Sequence, residues 1–171
     1  EEKINYQSEI FFNRLEKRYK HLKKWAKRTG VFCYRIYDKD IPEIPLSVDL
    51  YEDCDSLEKY LVIALYERPY EKDLESEKKW ISVMSQKACA AFLVNQDNVF
   101  VKMRKRQHNN SQYEKQNAQI IKRITVLEQN TKFKINLSDF LDTGLFFDHR
   151  PLRKIVRENC KDKAVLNLFC Y

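Results

Sequence analysis

FLDTGLFFDHR, residues 140–150, leads through a short basic segment into AVLNLFCY, residues 164–171. Residues 164–169 are apolar at nearly every position, whereas a half-exposed strand alternates apolar and polar residues. This pattern predicts a buried parallel strand, and such a strand needs parallel neighbours and crossover helices. We therefore expect the chain to be the front part of a larger protein, in which a nucleotide-binding type of fold begins at this strand.

The composition indicates a folded chain with an anionic partner. Its 171 residues fit one domain, or one small domain and the start of another. The hydrophobic share of 43% and the aromatic share of 13% argue against disorder. Lys and Arg number 32 against 25 Asp and Glu, which gives a net charge of +7. Because the cations are clustered, nucleic acid is favoured over a membrane or an acidic protein, although mildly basic domains are common.

The cysteines and histidines predict neither disulfides nor a metal site. The five cysteines form no C-x-x-C pair, which suits a reduced, cytoplasmic setting. The three histidines are scattered, and the acidic loop at residues 52–58 lacks the glycine and ligand spacing of a calcium loop. The longest apolar run, residues 88–94, is too short for a membrane span. We expect no metal and no membrane contact.

Residues 4–28 are predicted to form one amphipathic helix. Its apolar face repeats at three and four residues and comprises Phe11, Leu15, Tyr19, Leu22, Trp25 and Ala26. The opposite face is cationic and carries the candidate RNA contacts Arg14, Lys17, Arg18, Lys24 and Arg28. A solvated face usually mixes both signs, so this stripe favours a surface that follows phosphates over a plain solvated face. Gly30 is the expected end of the helix.

The remaining segments predict an α+β fold with a mostly antiparallel sheet. Strands are expected at residues 31–37, 46–50 and 60–66, and a second helix at residues 75–95. Residues 123–128 and 132–137 form a predicted hairpin, because Asn130 can take the left-handed conformation that a tight turn requires.

A further strand is predicted where Val99, Val101 and Met103 alternate with cationic residues. The apolar residues would face inward, and the outer face would be wholly cationic. The loop that follows is rich in amides and includes a tyrosine, which suits unpaired RNA, although an ordinary polar hairpin end has the same composition. The candidate RNA contacts here are Lys102, Arg104, Arg106, Gln107, Gln112 and Tyr113.

Four stretches together carry a resemblance to a known family. They are FFNRLEKRYKHLKKWAKR (11–28), CYRIYDKDIPE (33–43), VKMRKRQHNNSQYEK (101–115) and INLSDFLDTGLFFDHR (135–150), with LNLFCY at 166–171. The chain resembles bacterial S-adenosylmethionine-dependent methyltransferases of 23S rRNA, and within them the guanine-N7 half of a bifunctional enzyme. The resemblance implies methyl transfer from S-adenosylmethionine to guanine, with N7 as the expected atom, in large-subunit rRNA.

The resemblance also implies two parts. Residues 1–138 would be an α+β accessory domain that binds RNA. Residues 139–171 would be the start of a truncated class I Rossmann-like methyltransferase domain. In the family a Thr-Gly turn follows the LNLFCY strand, and these 171 residues contain no glycine-rich cofactor loop. The piece alone is therefore expected to be inactive.

The residues around the predicted cofactor strand receive roles only through the resemblance. The loop of Asp148, His149 and Arg150 would close over the amino-acid end of the cofactor, with Arg150 on a carboxylate and Asp148 on an ammonium. An ion pair that pins the loop to the Rossmann sheet is an equal alternative. The mouth of the pocket, at the carboxyl end of the strand, would be lined by Asn167, Phe169 and Tyr171. No catalytic residue is assigned, because guanine N7 offers its lone pair without proton removal.

Three other functions remain open from the sequence. A non-catalytic RNA-binding module would bind RNA but not the cofactor. A cytosine-C5 methyltransferase of the same broader family would need a cysteine nucleophile beyond residue 171. A dimerisation domain would have little affinity for RNA. The methylated nucleotide and the oligomeric state are not predicted.

Overall fold

The computed structural model describes residues 2–67, 73–104 and 121–166. Three helices and six strands are the main elements of these ranges. They are α1 (Glu2–Thr29), β1 (Cys33–Asp38), β2 (Leu46–Glu52), β3 (Lys59–Tyr66), α2 (Leu74–Phe92), β4 (Val99–Arg104), β5 (Arg123–Glu128), β6 (Thr131–Asn136) and α3 (Arg150–Asn159), with short 3-10 helices at Gln96–Asn98 and Phe147–His149.

Four strands form one sheet, and two form a hairpin attached to it. The sheet has the order β1-β2-β3-β4, in which the first two pairs are antiparallel and β3 and β4 are parallel. The parallel pair needs a crossover, and α2 supplies it. The β5-β6 hairpin joins the sheet through bridges between Val31 and Glu128 and between Asp53 and Val126. The predicted α+β fold with a mostly antiparallel sheet is confirmed.

Helix α1 covers one face of the sheet, together with α2. Phe11 and Leu15 are fully buried, and the ring of Phe11 meets that of Tyr37 edge-on at 4.9 Å. Burying side chains of this size stabilises the fold by about 1.5–3 kcal/mol each. The indole Nε1 of Trp80 in α2 donates a hydrogen bond to Oε1 of Gln7 at 2.8 Å, so the two helices are also joined by a buried polar contact. The predicted apolar face of α1 is confirmed.

The opposite face of the sheet is covered as well. Along β2, Leu46, Val48 and Leu50 belong to the core beneath the helices. Tyr51 belongs to a second core on the other side, where it packs with Val126 of the hairpin. Because helices lie on one side and the hairpin and the segment that follows it lie on the other, β2 is buried along both faces.

The orientation predicted for β4 is wrong. Val101 and Met103 are 41% and 45% exposed, whereas Lys102 is only 2% exposed. The Lys102 ammonium donates a hydrogen bond to the carbonyl oxygen of Phe140. Segment 137–147 provides the polar partners of this face of β4, since Asp142 also pairs with Arg104. The face of β4 that was expected to be outer and wholly cationic is therefore buried at Lys102.

The predicted buried strand at residues 164–169 is not found in the part that the structure describes. Residues 164–166 are exposed and belong to none of the described strands, and no described strand lies beside them as a partner. Residues 167–171 lie outside the described ranges. The basic segment before them forms α3. The boundary between residues 138 and 139 stays a prediction.

None of the helices in the described ranges combines the length and the apolar character that crossing a membrane requires.

Candidate functional site

The cationic face of α1 is partly committed to the fold. Nε of Arg14 donates to Oδ2 of Asp40 at 2.7 Å, and Nε of Arg18 donates to the carbonyl oxygen of Ile36 at 3.2 Å. Lys17, Lys24 and Arg28 are exposed. Within the described residues these three pair with no acid. They remain available to phosphates, whereas Arg14 and Arg18 fix α1 against the edge of the sheet.

The end of α1 meets the hairpin and α3. Gly30 has φ +66°, and its carbonyl oxygen accepts a hydrogen bond from the backbone N–H of Gln129 at 2.8 Å. Nη1 of Arg157 in α3 donates to the carbonyl oxygen of the same Gln129 at 2.6 Å. Four exposed cations therefore lie at one end of the molecule, which we call the basic end: Lys24, Lys27, Arg28 and Arg157. Arg157 was not among the sequence candidates, because only the tertiary contact with Gln129 brings it to α1.

A buried carboxylate holds the start of α3. Glu128 is 3% exposed and accepts hydrogen bonds from Nε of Arg150 at 2.7 Å and from Nε and Nη2 of Arg153, both at 2.8 Å. Burial acts to raise the pKa of Glu128, but the hydrogen bonds from Arg153 and Arg150 outweigh it and leave that pKa below its ordinary value. Sequence reasoning missed Glu128, since its partners lie more than twenty residues away.

Arg150 has further contacts that fix its position. Its Nη2 donates to the carbonyl oxygen of Cys33 at 2.8 Å, and its guanidinium lies over the rings of Trp25 and Phe147 at 5.7 and 5.4 Å. The sequence left two roles open for this residue, and the structure shows an ion pair, although not with the Rossmann sheet that was expected. The partner is Glu128 of the hairpin.

The predicted cofactor loop fits its ligand only in part. Asp148 and His149 have side chains that are 79% and 62% exposed, and their nearest charged atoms are 3.8 Å apart. An exposed carboxylate at position 148 can accept a hydrogen bond from an ammonium group. To bind a ligand carboxylate, Arg150 would have to leave Glu128. The buried Glu128 carboxylate would then lose one of its two cationic partners. Asn167, Phe169 and Tyr171 lie outside the described residues.

Of the second predicted RNA surface, the two residues that the structure describes, Lys102 and Arg104, are buried or partly buried. Burial lowers the pKa of Lys102 to about 8, and its ammonium donates a hydrogen bond to the carbonyl oxygen of Phe140. Arg104 is 31% exposed and pairs with Asp142. The candidates Arg106, Gln107, Gln112 and Tyr113 lie outside the described residues.

An open cleft of about 530 Å³ lies on the face of the sheet opposite α1. Its floor is formed by strands β1 to β4, and segment 141–148 forms its roof. Two ion pairs line it: Arg35 donates to both carboxylate oxygens of Asp49, at 2.7 and 3.1 Å, and Arg104 pairs with Asp142. Asp148 of the predicted cofactor loop lies at its rim. The cleft therefore adjoins that loop, and no pattern in the sequence indicated it.

The acidic turn after β2 groups three potential metal ligands. Single ligand atoms of Asp53, Cys54 and Asp55 lie within 4.8 Å of one another. The cluster is partly exposed, and the Lys132 ammonium lies 3.5 Å from the Asp55 carboxylate. Exposed acidic groups of this kind are common without a metal, so the turn is read as ordinary surface.

Comparisons with known proteins identify the family. Residues 48–171 match the family described as S-adenosylmethionine-dependent methyltransferase. The chain is 42% identical over 161 residues to the ribosomal RNA large subunit methyltransferase K/L of Shewanella sediminis, covering 94% of this chain and 22% of that protein. It is 41% identical over 165 residues to the protein of the same name from Pseudomonas fluorescens, covering 95% and 21%. The chain thus spans about a fifth of the length of these relatives.

Two solved structures share the fold at low identity. One is SMU.776, described as a methyltransferase and complexed with SAH, with a TM-score of 0.53 and 18% identity over 87% of this chain and 35% of that one. The other, described as a SAM-dependent methyltransferase from Streptococcus mutans, has a TM-score of 0.56 and 16% identity over 90% and 36%. S-adenosylmethionine, the cofactor implied by the resemblance, is the cofactor of the matching family. On the match over residues 48–171, the chain belongs to the family of S-adenosylmethionine-dependent methyltransferases.

Proposed function

We propose that this chain is part of an enzyme that methylates large-subunit ribosomal RNA, and that the methyl group goes to N7 of a guanine. The observation that carries the proposal is 42% identity, over 94% of the chain, to a relative named ribosomal RNA large subunit methyltransferase K/L. S-adenosylmethionine would supply an electrophilic methyl group. Since rRNA is the proposed substrate, the proposed location is the cytoplasm.

The contribution of these residues is to hold RNA. Lys17, Lys24 and Arg28 project from α1 without acidic partners in the described ranges, and Lys27 and Arg157 extend the surface at the basic end. Cations in such positions bind phosphates and release counterions. Asp148, exposed beside the cleft, is proposed to meet the ammonium group of the methyl donor. The described residues thus position two reactants, which is what attack by a free N7 lone pair requires.

The piece by itself is proposed to bind RNA without transferring methyl groups. Its 171 residues contain two glycines, Gly30 and Gly144, and therefore no glycine-rich cofactor loop. The non-catalytic RNA-binding module is thus the function proposed for the piece alone, and methyl transfer is proposed for the longer protein.

The test removes two charges from the basic end of the full-length protein. Lys27→Gln combined with Arg28→Gln should weaken binding to an rRNA fragment and reduce the slope of log affinity against log salt by about 1.4–1.8, since each phosphate contact contributes roughly 0.7–0.9. A fluorescence anisotropy titration at four salt concentrations measures both quantities.

The matched control removes two exposed lysines near the opposite end of α1. Lys3→Gln combined with Lys78→Gln changes the net charge equally, and Lys3 lies roughly 35 Å along the helix from Lys27. This control should leave the slope nearly unchanged. Equal slopes for both double variants would contradict the proposal that the basic end contacts the RNA backbone.

A further inference from the structure

We propose that the cleft between the sheet and segment 141–148 receives a single unpaired base of the RNA substrate. The inference rests on the proposed function, since it assumes that RNA is the substrate. It assigns a binding site to the face of the sheet opposite the cationic helix.

The shape of the cleft suits a planar group. Its volume of about 530 Å³ lies within the range of 300–1,000 Å³ that small-molecule sites occupy. The floor contains Ser47 and Ala64, whose small side chains leave space between the two ion pairs. Phe146 on the roof is 47% exposed although it is aromatic, and Tyr66 lines one side of the cleft. A base can stack on the exposed ring of Phe146.

The charges of the cleft favour a base over a phosphate. The charged lining residues are two arginines, Arg35 and Arg104, and three aspartates, Asp49, Asp142 and Asp148. Their sum is −1, and Lys39 beside Tyr66 at the edge brings the total to 0, so the cleft has no excess of positive charge to hold a phosphate group. A base is neutral and presents donors and acceptors on its edges, which match carboxylates and guanidinium groups respectively. Within the described residues, Nε of Arg104 is buried without a hydrogen-bond partner, so this guanidinium is not fully satisfied by Asp142 alone.

The cleft is reached from α1 across a single strand. Arg18 of α1 donates to the carbonyl oxygen of Ile36, and Arg35, the preceding residue in β1, lines the cleft. β1 is the edge strand of the described sheet, so no other strand separates the two sites there. An RNA backbone that follows α1 can therefore turn over β1 and place a neighbouring base on the far face. Lys39 lies at this edge with its ammonium 4.2 Å from the centre of the Tyr66 ring.

The test measures whether binding depends on a base. Two single-stranded RNA oligomers are titrated into the full-length protein, one carrying 2-aminopurine and one with an abasic position in its place. The base should improve affinity about five-fold or more, because stacking on an aromatic ring contributes that much to binding. Its fluorescence should be quenched in the complex.

Phe146→Ala should bring the two affinities to within two-fold of each other and remove most of the quenching. Phe146→Trp should keep the discrimination, because the ring is retained. Tyr6→Ala is the matched control: Tyr6 is 67% exposed on α1 and away from the cleft, so its loss should leave the discrimination intact.

Three results separate the possible failures. If the unsubstituted protein binds no RNA, the proposed function and this inference both fail. If it binds RNA but does not distinguish the abasic oligomer, or if Phe146→Ala keeps full discrimination, only the inference fails. If Phe146→Ala weakens binding of S-adenosylhomocysteine and leaves base discrimination unchanged, the cleft belongs to the cofactor and the inference is overturned.

Discussion

The ion pairs around Glu128 allow a quantitative prediction for Glu128→Gln. Glu128 is 3% exposed, and its two partners Arg150 and Arg153 have side chains that are 16% and 23% exposed. The substitution leaves two cations facing a neutral amide, whose carbonyl oxygen can still accept from one of them and whose NH₂ group opposes the other. We therefore expect the free energy of unfolding to fall.

The size of the loss follows from the burial. Removing one partner of a buried ion pair costs about 3–5 kcal/mol. Arg153 is the more exposed partner and can be solvated in part, and the glutamine retains one acceptor. We therefore expect a loss somewhat below that range, of about 2–3 kcal/mol. For a chain of this size that corresponds to a melting temperature lower by about 5–10 °C.

Urea unfolding followed by circular dichroism at pH 7 measures the loss, with Glu158→Gln as the matched control. Glu158 lies on the same α3, 3.9 Å from Lys154, and both side chains are about half exposed. An exposed pair four residues apart contributes about 0.5 kcal/mol or less, so the control should differ little from the unsubstituted chain. A loss below about 1 kcal/mol for Glu128→Gln would refute the reasoning that this carboxylate holds α3.

The same pair makes a prediction about pH. Because the pKa of Glu128 is lower in the folded chain, its contribution is complete above the ordinary value of 4.5 and is lost as the pH falls through the folded pKa. The difference in unfolding free energy between the unsubstituted chain and Glu128→Gln should therefore shrink below about pH 4.5. A difference that stayed constant to pH 3 would show that the carboxylate is not the stabilising group.

Two further substitutions test other parts of the fold. The pKa of Lys102 is about 8 in the folded chain against 10.5, so unfolding free energy should rise between pH 8 and 10.5, by up to about 3 kcal/mol. Lys102→Met should remove that rise in urea titrations at the two pH values, and an identical rise in both chains would contradict the burial of this amine. Gly30→Ala should cost about 1–2 kcal/mol, because φ is +66° there while the nearest atom to a new Cβ lies at 3.9 Å. In the same unfolding assay Lys27→Ala, in the last turn of α1, should cost less than half as much, and a harmless Gly30→Ala would refute the conformational argument.

Local patterns were sufficient for most elements. Spacing of three and four residues predicted α1 and its buried Phe11 and Leu15. Alternation predicted the β5-β6 hairpin, whose turn contains Asn130 with φ +66°. These features depend on residues within a turn or two of one another, so a sequence pattern contains them. The family resemblance rested in the same way on contiguous stretches.

Features that depend on distant partners could not be predicted. The alternation in β4 was read with Val101 and Met103 inward, because an amine is normally the exposed group of such a pair. Lys102 is buried instead because the carbonyl of Phe140, 38 residues later, accepts its hydrogen bond. The cleft and the role of Glu128 could not be predicted from the sequence for the same reason. Each needs residues from segments that meet only after the sheet and the hairpin have formed.

The hydrogen bond from Arg150 to the carbonyl of Cys33 spans 117 residues, and this separation orders events during synthesis. At roughly 5–20 residues per second, β1 emerges from the ribosome some 6–23 s before Arg150 does. During that interval the sheet can assemble, since β1 to β4 end at Arg104. α3 can then dock on a surface that is already formed, because the pairing of β1 to β4 requires no residue of α3.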